Sequence, residues 1–386
     1  MRHLAVDLYP DAMTTYDDVP IAWPYWICLG LVPIVLIAAI FGGWTIFLIP
    51  VITWWLFAFL DAVVGLDPRN PDPNTPEQSL FWHRAITLIW PFVQSAVLLF
   101  LLFWVAQTDH LSALEEILLF VGFGIPAGTI GIVYAHELIH QRTRLDAWFG
   151  DFLLAAVLYS HFRSAHLLVH HRYVGTPKDP ITARYNEGFH AYYFRVLHQE
   201  LRAAWQAETG RLAKLDRPWY DKGNPFWRYG TLQLVFVITS YLIAGWWGLL
   251  LFAIQATVAI WQLELVNYVE HYGLVRKHLG EGRYEPARLH HSWDATHLAS
   301  NRLLINLQRH ADHHARPDRP YPLLQDHGPE AVPQLPYAYV VSTILALYPR
   351  VWRRVMHPRL RAWRAWHYPE ITDWAPYNTM SNPPPR

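Results

Sequence analysis

The stretch ILLFVGFGIPAGTIGIVYAHELIH, residues 117–140, determines how the whole chain is interpreted. Up to Ala135 it is apolar and carries no charge, as expected of a helix that crosses a bilayer. It then ends on His136-Glu137-Leu138-Ile139-His140. Histidines four positions apart share one face of a helix, so both imidazoles can bind the same metal ion. The stretch therefore predicts a membrane helix that places two metal ligands at one end.

The composition agrees with lipid as the surroundings of much of the chain. Hydrophobic residues make up 53% of the 386 residues and charged residues only 16%, against about 25% charged in a soluble domain. Basic and acidic residues are equal at 31 each, which argues against nucleic-acid binding because that needs a basic excess. One cysteine, Cys28, excludes an internal disulfide framework and a CxxC metal site.

Apolar runs of about 20 residues predict an all-α integral membrane protein with about six transmembrane helices. The predicted spans are roughly Ile21 to Ile40, Trp44 to Leu66, Ala85 to Ala106, Leu114 to Ala135, Leu232 to Ala244 and Trp246 to Val266. The fifth is short, and its start is expected nearer Phe226. Residues 148–159 are too short to span and predict a helix buried in protein or lying at the interface. Residues 1–20 contain no apolar core of a signal peptide.

The distribution of charge predicts the orientation. The presumed outer connections lack Lys and Arg, which fall instead in the N-terminal tail, in residues 67–84 and 141–230, and after residue 270. By the positive-inside rule these segments, and both termini, are cytoplasmic. The predicted membrane is the bacterial inner membrane.

We expect three regions along the chain. They are a tail over 1–20, a membrane-embedded domain over 21–325, and a basic, Trp-rich cytoplasmic segment over 326–386 with a disordered Pro-rich end. Within the last region, Arg350 to Arg364 predicts either an amphipathic helix on the inner leaflet or a soluble surface helix.

Two further histidine clusters and one single histidine follow HELIH. The second cluster is HLLVHH, residues 166–171, and the third is HADHH, residues 310–314. Each places two adjacent imidazoles beside a third, a trio that can serve one ion or bridge between two. His271 follows the last span as His136 follows the fourth, so both lie at the same membrane face. Ionisable groups at membrane depth are costly and indicate function.

The nine histidines leave more than one interpretation open at this point. HExxH alone also describes zinc proteases, although three protein ligands suffice for a catalytic zinc. A metal transporter would spread its ligands through the membrane, whereas these gather at one face. Imidazole suits iron, copper, nickel and zinc. Nine ligands are too many for one ion and about right for two.

The chain resembles the integral-membrane alkane 1-monooxygenases, which are related to xylene monooxygenase and to membrane fatty acid desaturases. HELIH carries the resemblance together with NYVEHYGLVR (267–276), HSWD (291–294) and LQRHADHH (307–314). GLDPRNP (65–71) and TPKDP (176–180) extend it, so that it covers residues 45–325. The combination is far more specific than HExxH alone.

The resemblance implies a di-iron enzyme that uses dioxygen to hydroxylate the terminal methyl group of medium- or long-chain alkanes. It implies electrons from a rubredoxin-type donor and its reductase. The implied iron ligands are His136, His140, His166, His170, His171, His271, His310, His313 and His314. His161, His290 and His291 are the nearest other contenders.

One departure from the family pattern bears on which substrate is predicted. The alkane enzymes usually have Glu before the second cluster and Gly inside it, where this chain has Ala165 and Val169. That form is more similar to the xylene side-chain monooxygenases. An aryl-methyl hydroxylase and a lipid desaturase or hydroxylase therefore remain alternatives within the same chemistry, with a membrane zinc metalloprotease as the alternative from another class.

Two further sets of residues are expected around the irons. Carboxylates should orient the imidazoles by accepting their free N–H, and the candidates are Glu137, Glu264, Glu270, Asp179 and Asp312. An apolar substrate should enter from the membrane lipid into a dry pocket. Its depth should be set by Trp54, Trp55 and Phe57, unless these aromatic side chains only pack the helices or anchor the interface.

Overall fold

A computed structural model describes residues 16–380. Most of the predicted N-terminal tail and the predicted disordered end, Pro383 to Pro385, lie outside these residues. The described chain is mainly helical, and its one sheet is a two-stranded antiparallel hairpin. Within residues 16–380, five helices are long and apolar enough to cross a membrane: α1 (Trp23–Phe41), α2 (Gly43–Val64), α3 (Glu77–Gln107), α4 (Ala113–His140) and α8 (Phe226–His271).

A sharp turn at Gly42 joins α1 to α2. Gly42 has φ +61°, and a Cβ added there would lie 2.6 Å from Leu111 Cδ2, so a larger residue would be both strained and crowded. The start of α4 lies against this turn. Ser112 caps α4 in a capping box with Glu115, whose other oxygen accepts from the Gly43 N–H at 2.8 Å.

The last of the five is a helical hairpin. At 1.5 Å per residue, 46 residues would extend about 69 Å, roughly twice the thickness of the hydrocarbon core. Ala244 and Gly245 leave helical geometry, with Gly245 at φ +61°. The rings of Phe236 and Phe252 then lie 6.2 Å apart, so the two arms run antiparallel. The corner lies at Gly245, the residue between the fifth and sixth predicted spans. The first arm begins at Phe226, where the start of the short fifth span was expected.

Helix α4 is the centre of the bundle and contacts the second arm of α8 through glycines. A Cβ at Gly124 would lie 2.7 Å from the Gln255 carbonyl oxygen, and one at Gly128 would lie 2.8 Å from that of Ala259. Small residues allow helix backbones to approach this closely in membranes. The close contact fixes the HELIH end of α4 against the end of α8 that carries His271.

Three shorter helices follow α4, and the first of them confirms the buried helix expected near residues 148–159. They are α5 (Arg144–Ala155), α6 (residues 162–173, with a π-helical turn at His166–His170) and α7 (Phe189–Ala213).

The remainder of the described chain, up to residue 380, folds over the ends of α4 and α8 that carry histidines. Its elements are β1 (His278–Gly280), β2 (Arg283–Tyr284), α9 (Leu298–Leu303), α10 (His310–Ala315), α11 (Gly328–Ala331), α12 (Tyr339–Ala346), α13 (Pro349–His367) and α14 (Ala375–Asn378), with 3₁₀ turns at Leu289–His291 and Tyr321–Leu323. Trp352 of α13 packs on Tyr268 of α8 and on Tyr272, which follows that helix. The apolar face of α13 is thus buried against protein, which favours the second of the two expectations, a surface helix, over one inserted into the leaflet.

Candidate metal centre

The nine predicted histidines come together as two adjacent groups. The first contains His136 and His140 from the end of α4, His166 and His171 from α6, and His313 from α10. The second contains His170 from α6, His271 from the end of α8, and His310 and His314 from α10. Within each group the ligand atoms lie within 4.8 Å of one another.

The clusters on α6 and α10 contribute to both groups. The π-helical turn of α6 widens the spacing, so that His166 and His171, five residues apart, bring their Nε2 atoms to 2.9 Å. His170 faces the other way, into the second group. On α10, His313 joins the first group, while His310 and His314 have their Nε2 atoms 3.1 Å apart in the second. Each trio therefore bridges the two groups, which was one of the two arrangements expected.

The residues fit a pair of metal ions. Nitrogen–metal bonds of about 2.0–2.1 Å place opposite ligands about 4 Å apart, in keeping with the size of each group. The Nε2 atoms of His136 and His170 are buried without a hydrogen-bond partner among the described residues, as expected of lone pairs directed at a cation.

Burial favours the neutral form of the His171, His313 and His314 imidazoles, which is the form that binds metal. Burial, followed by the neighbouring imidazoles, holds the pKa of His171, His313 and His314 well below its usual range.

One of the five carboxylates expected to orient the imidazoles does so directly. Asp179, in the TPKDP segment, has its Oδ2 atom 2.9 Å from His170 Nδ1 and accepts from Thr182 Oγ1 at 2.6 Å. Its Oδ1 atom accepts from the Ile181 N–H at 3.1 Å. Burial alone would raise the pKa of Asp179, but His170 and these hydrogen bonds hold it below its usual value.

The other four carboxylates differ from that expectation. Glu270 Oε2 lies 3.3 Å from His310 Nε2, the nitrogen that points into the second group, so it borders the ligand side of the ring rather than its free N–H. Glu137 accepts from Gln141 and from the Tyr321 N–H. Asp312 pairs with Arg319 and His327. Glu264 contacts Tyr159 and Tyr192. The predicted role is therefore wrong for the last three.

An apolar cavity lies beside the first group. Its volume is about 130 Å³, and α2, α4, α8, α9 and α12 line it with residues that include Trp54, Val133 and Leu307. A small adjoining cavity shares Val133 and Leu307 and is also lined by His136 and His313. Val133 and Leu307 therefore lie between the apolar space among the helices and the space beside the first histidine group.

Only one of the three predicted pocket residues lines this space. Trp54 does, and its Nε1–H donates to Gln262 Oε1 at 3.2 Å. Trp55 is 57% exposed on the outer side of α2, and Phe57 is buried in the core, so the expectation is wrong for both.

The chain is similar in sequence to a set of membrane monooxygenases. An alkane 1-monooxygenase 2 of Pseudomonas aeruginosa is 34% identical over 92% of this chain and 89% of its own length. An alkane 1-monooxygenase 1 of the same organism is 37% identical over 79% of this chain and 80% of its own. The chain belongs to the alkane 1-monooxygenase family. Residues 112–345 of this chain also match the fatty acid desaturase family. Together with the alkane 1-monooxygenase relatives, this match shows that the protein is a non-haem oxidoreductase.

A more distant relative is named for a different substrate. The hydroxylase component of a xylene/toluene monooxygenase of Pseudomonas putida is 27% identical over 61% of this chain and 62% of its own length. The two positions that resemble that type, Ala165 and Val169, are buried beside the histidines of α6. Both substitutions leave His166 and His170 in their groups.

The three other histidines considered as possible ligands, His161, His290 and His291, lie outside both histidine groups. His290 and His291 form a third group with Glu285. There His291 Nδ1 accepts from the Arg288 N–H at 2.8 Å, which puts the ring proton on Nε2, 2.7 Å from the Tyr368 hydroxyl. Because that nitrogen is protonated, the third group is a hydrogen-bond network rather than a metal site. His161 contacts Tyr159 instead, with ring centroids 4.4 Å apart.

Sequence reasoning missed Glu200, a fully buried carboxylate on α7. A signal for it was present, because Tyr192, Val196, Glu200, Ala204 and Glu208 follow each other at helical spacing along the buried face of α7. A carboxylate in such a stripe indicates a buried polar partner.

Proposed function

We propose that this chain hydroxylates the terminal methyl group of medium- or long-chain alkanes to 1-alkanols at a di-iron centre held by the nine histidines. The observation that carries the proposal is the arrangement of five and four imidazoles beside an apolar cavity that opens between membrane helices. It is supported by the similarity of most of the chain to alkane 1-monooxygenases.

The proposed metal assignment follows the two groups. His136, His140, His166, His171 and His313 would hold one iron, and His170, His271, His310 and His314 the other. When bound, the irons supply the redox chemistry for inserting one atom of dioxygen into a C–H bond. Asp179 fixes the ring of His170 by accepting its Nδ1–H, which sets both tautomer and orientation.

The cavity would bind the alkane and exclude water. Its walls are mostly Leu, Val, Ile and Trp side chains. The amide of Gln262, one of the polar groups in the wall, is hydrogen-bonded within the protein to Trp54, Thr129 and the Ile125 carbonyl, so it does not oppose a chain without polar groups. The Thr53 hydroxyl in the same wall has no hydrogen-bond partner among the described residues. Val133 and Leu307, at the junction with the smaller cavity, would direct the terminal methyl group towards His136 and His313.

The electrons would come from a rubredoxin-type donor and its reductase on the cytoplasmic face. Arg142 is a candidate contact, since its side chain is 83% exposed while paired to Asp318 at 2.6 Å; positive-inside bias alone would also place it there. We further propose the bacterial inner membrane, with six crossings and both termini cytoplasmic. We also propose that the membrane-embedded domain ends near residue 325 and that a cytoplasmic segment follows it.

A second candidate is hydroxylation of methyl groups on aromatic rings. Ala165 and Val169 favour it, together with the similarity to the xylene/toluene component.

The test is metal analysis and turnover on one preparation purified in detergent. We expect about two irons per chain and dioxygen-dependent formation of 1-alkanols from a panel of n-alkanes with a rubredoxin system. Methyl-arenes tested alongside distinguish the second candidate, because turnover of these alone would assign the aromatic substrate. One zinc per chain and no oxygen-dependent product would refute both and favour a protease site at HELIH.

A further inference from the structure

A pair of fully buried carboxyl groups lies close to the histidine groups but outside them. Glu200 of α7 and Glu264 of α8 are both 0% exposed. Glu264 precedes His271 by seven residues, which is two turns and about 10 Å along the same face of one helix. Among the described residues, neither carboxylate has an arginine or lysine within ion-pair distance.

The hydrogen bonds around the pair require protons that the neighbouring tyrosines cannot supply. The Tyr159 hydroxyl oxygen lies 2.7 Å from Glu200 Oε2 and 3.0 Å from Glu264 Oε1. The Tyr192 hydroxyl oxygen lies 3.0 Å from the Ile181 carbonyl oxygen and 3.1 Å from Glu264 Oε2. These four contacts need four hydrogens, and two hydroxyl groups provide two. A carbonyl only accepts, so at least one carboxyl group must donate.

Other groups around the pair leave this result unchanged. Asn267 Nδ2 donates to Glu264 Oε2 at 3.3 Å. Arg195 stacks on the Tyr192 ring at 5.2 Å, but its charge is matched by Glu187 at 2.7 Å. Asp179, the remaining charged neighbour, is a carboxylate and opposes a second negative charge. Burial, followed by the adjacent Glu264, raises the pKa of Glu200 well above its usual value.

We propose that the Glu200–Glu264 pair is an internal proton store that supplies dioxygen reduction at the histidine groups. This inference rests on the proposed function, in which one oxygen atom enters a C–H bond and the other leaves as water. That reaction consumes two electrons, from the external carrier protein, and two protons. A proton from the pair would go to the oxygen atom that leaves as water, and the pair would be refilled from the aqueous side of α7.

The proton itself is tested by infrared spectroscopy on the full-length protein in detergent. A protonated carboxyl group has a C=O stretch separate from the carboxylate bands. We expect this band in the wild type and a weaker band in Glu200→Gln and Glu264→Gln, because other buried carboxyl groups can absorb in the same region. Glu208→Gln is the matched control, because Glu208 lies on the same helix but is ion-paired with Arg211 at 2.8 Å, so the band should remain. A wild type without the band would overturn the proposal, and that measurement needs no variant to fold.

Delivery of the proton is tested by measuring how tightly dioxygen consumption is coupled to alcohol formation. In Glu200→Gln and Glu264→Gln we expect the alcohol formed per dioxygen consumed to fall several-fold, with hydrogen peroxide released, while the iron content stays at the wild-type value. Coupling equal to that of the wild type in both variants would overturn the proton-supply role. A wild type that shows the infrared band but oxidises no alkane would refute the proposed function, and with it the role in dioxygen reduction, without affecting the proton assignment.

Discussion

Replacement of Asp179 by Asn should weaken metal binding at the four-histidine group. The carboxylate accepts three hydrogen bonds, from His170 Nδ1, Thr182 Oγ1 and the Ile181 N–H. An amide of the same shape has one oxygen, so either its NH₂ faces the Ile181 N–H or the contacts of His170 and Thr182 are lost. Both arrangements also remove the negative charge beside the imidazole.

The magnitude follows from what such partners contribute elsewhere. Loss of a group that orients a metal-bound histidine typically costs 10- to 100-fold in affinity, which is about 1.4–2.7 kcal/mol. A buried donor left without an acceptor costs a similar amount, about 1–3 kcal/mol. We therefore expect the affinity of the second metal to fall by about 10- to 100-fold, and that of the first by much less, because Asp179 contacts none of its five ligands.

The assay is chelator competition followed by metal analysis of the protein. Asp151→Asn is the control, since Asp151 is equally buried but pairs with Arg163 and Arg228 instead of a histidine. It should lower stability without selective loss of one metal. Two metals retained by Asp179→Asn with wild-type affinity would refute the reasoning.

Three further predictions concern the cavity, the helix contact and pH. Val133→Phe should obstruct the junction of the two cavities; if it displaces three methylene groups at about 0.8 kcal/mol each, kcat/KM for the longest alkane should fall roughly 50-fold, whereas Trp55→Phe on the outer side should leave it unchanged. Gly128→Leu should separate α4 from α8 and lower the thermal unfolding temperature in detergent, and an unchanged midpoint would contradict the close contact. Burial, with the neighbouring His291 and His367, lowers the pKa of His290 to about 3; since the unfolded chain takes up this proton at about pH 6.5, stability should fall as pH drops from about 6.5 towards 3. His290→Gln should reduce that dependence in unfolding curves recorded at several pH values, and an identical dependence would refute the assignment.

The sequence was most informative where the signal is local. Histidines at fixed spacing on one helix must share a face or straddle it, and His136 with His140 illustrates the first case. The corner at Gly245 was equally readable, because two apolar runs separated by one glycine cannot form one straight span. These features need no knowledge of distant contacts.

Prediction was weaker wherever a partner comes from far along the chain. The carboxylate of Asp312 shows that a nearer partner can also be missed: Asp312 lies inside a histidine motif, yet it pairs with Arg319 and His327 in the loop that follows α10. Glu264 lies on the same helix face as His271, but it pairs with Glu200, which α7 brings to it from an unrelated part of the chain. Trp55 and Phe57 were named for their bulk and not for their helix face, and a π-helical turn at Val51–Leu56 alters the spacing of side chains along this part of α2.

The position of α13 along the chain has a consequence for biosynthesis. All nine histidines have been translated by residue 314, whereas the helix that packs over Tyr268 and Tyr272, beside His271, begins at Pro349. At 5–20 residues per second, the intervening 35 residues (349 minus 314) take about 2–7 s to synthesise. During that interval all nine histidines have been translated and α13 has not, so the packing of α13 on Tyr268 and Tyr272 can form only after the ligands exist in the chain.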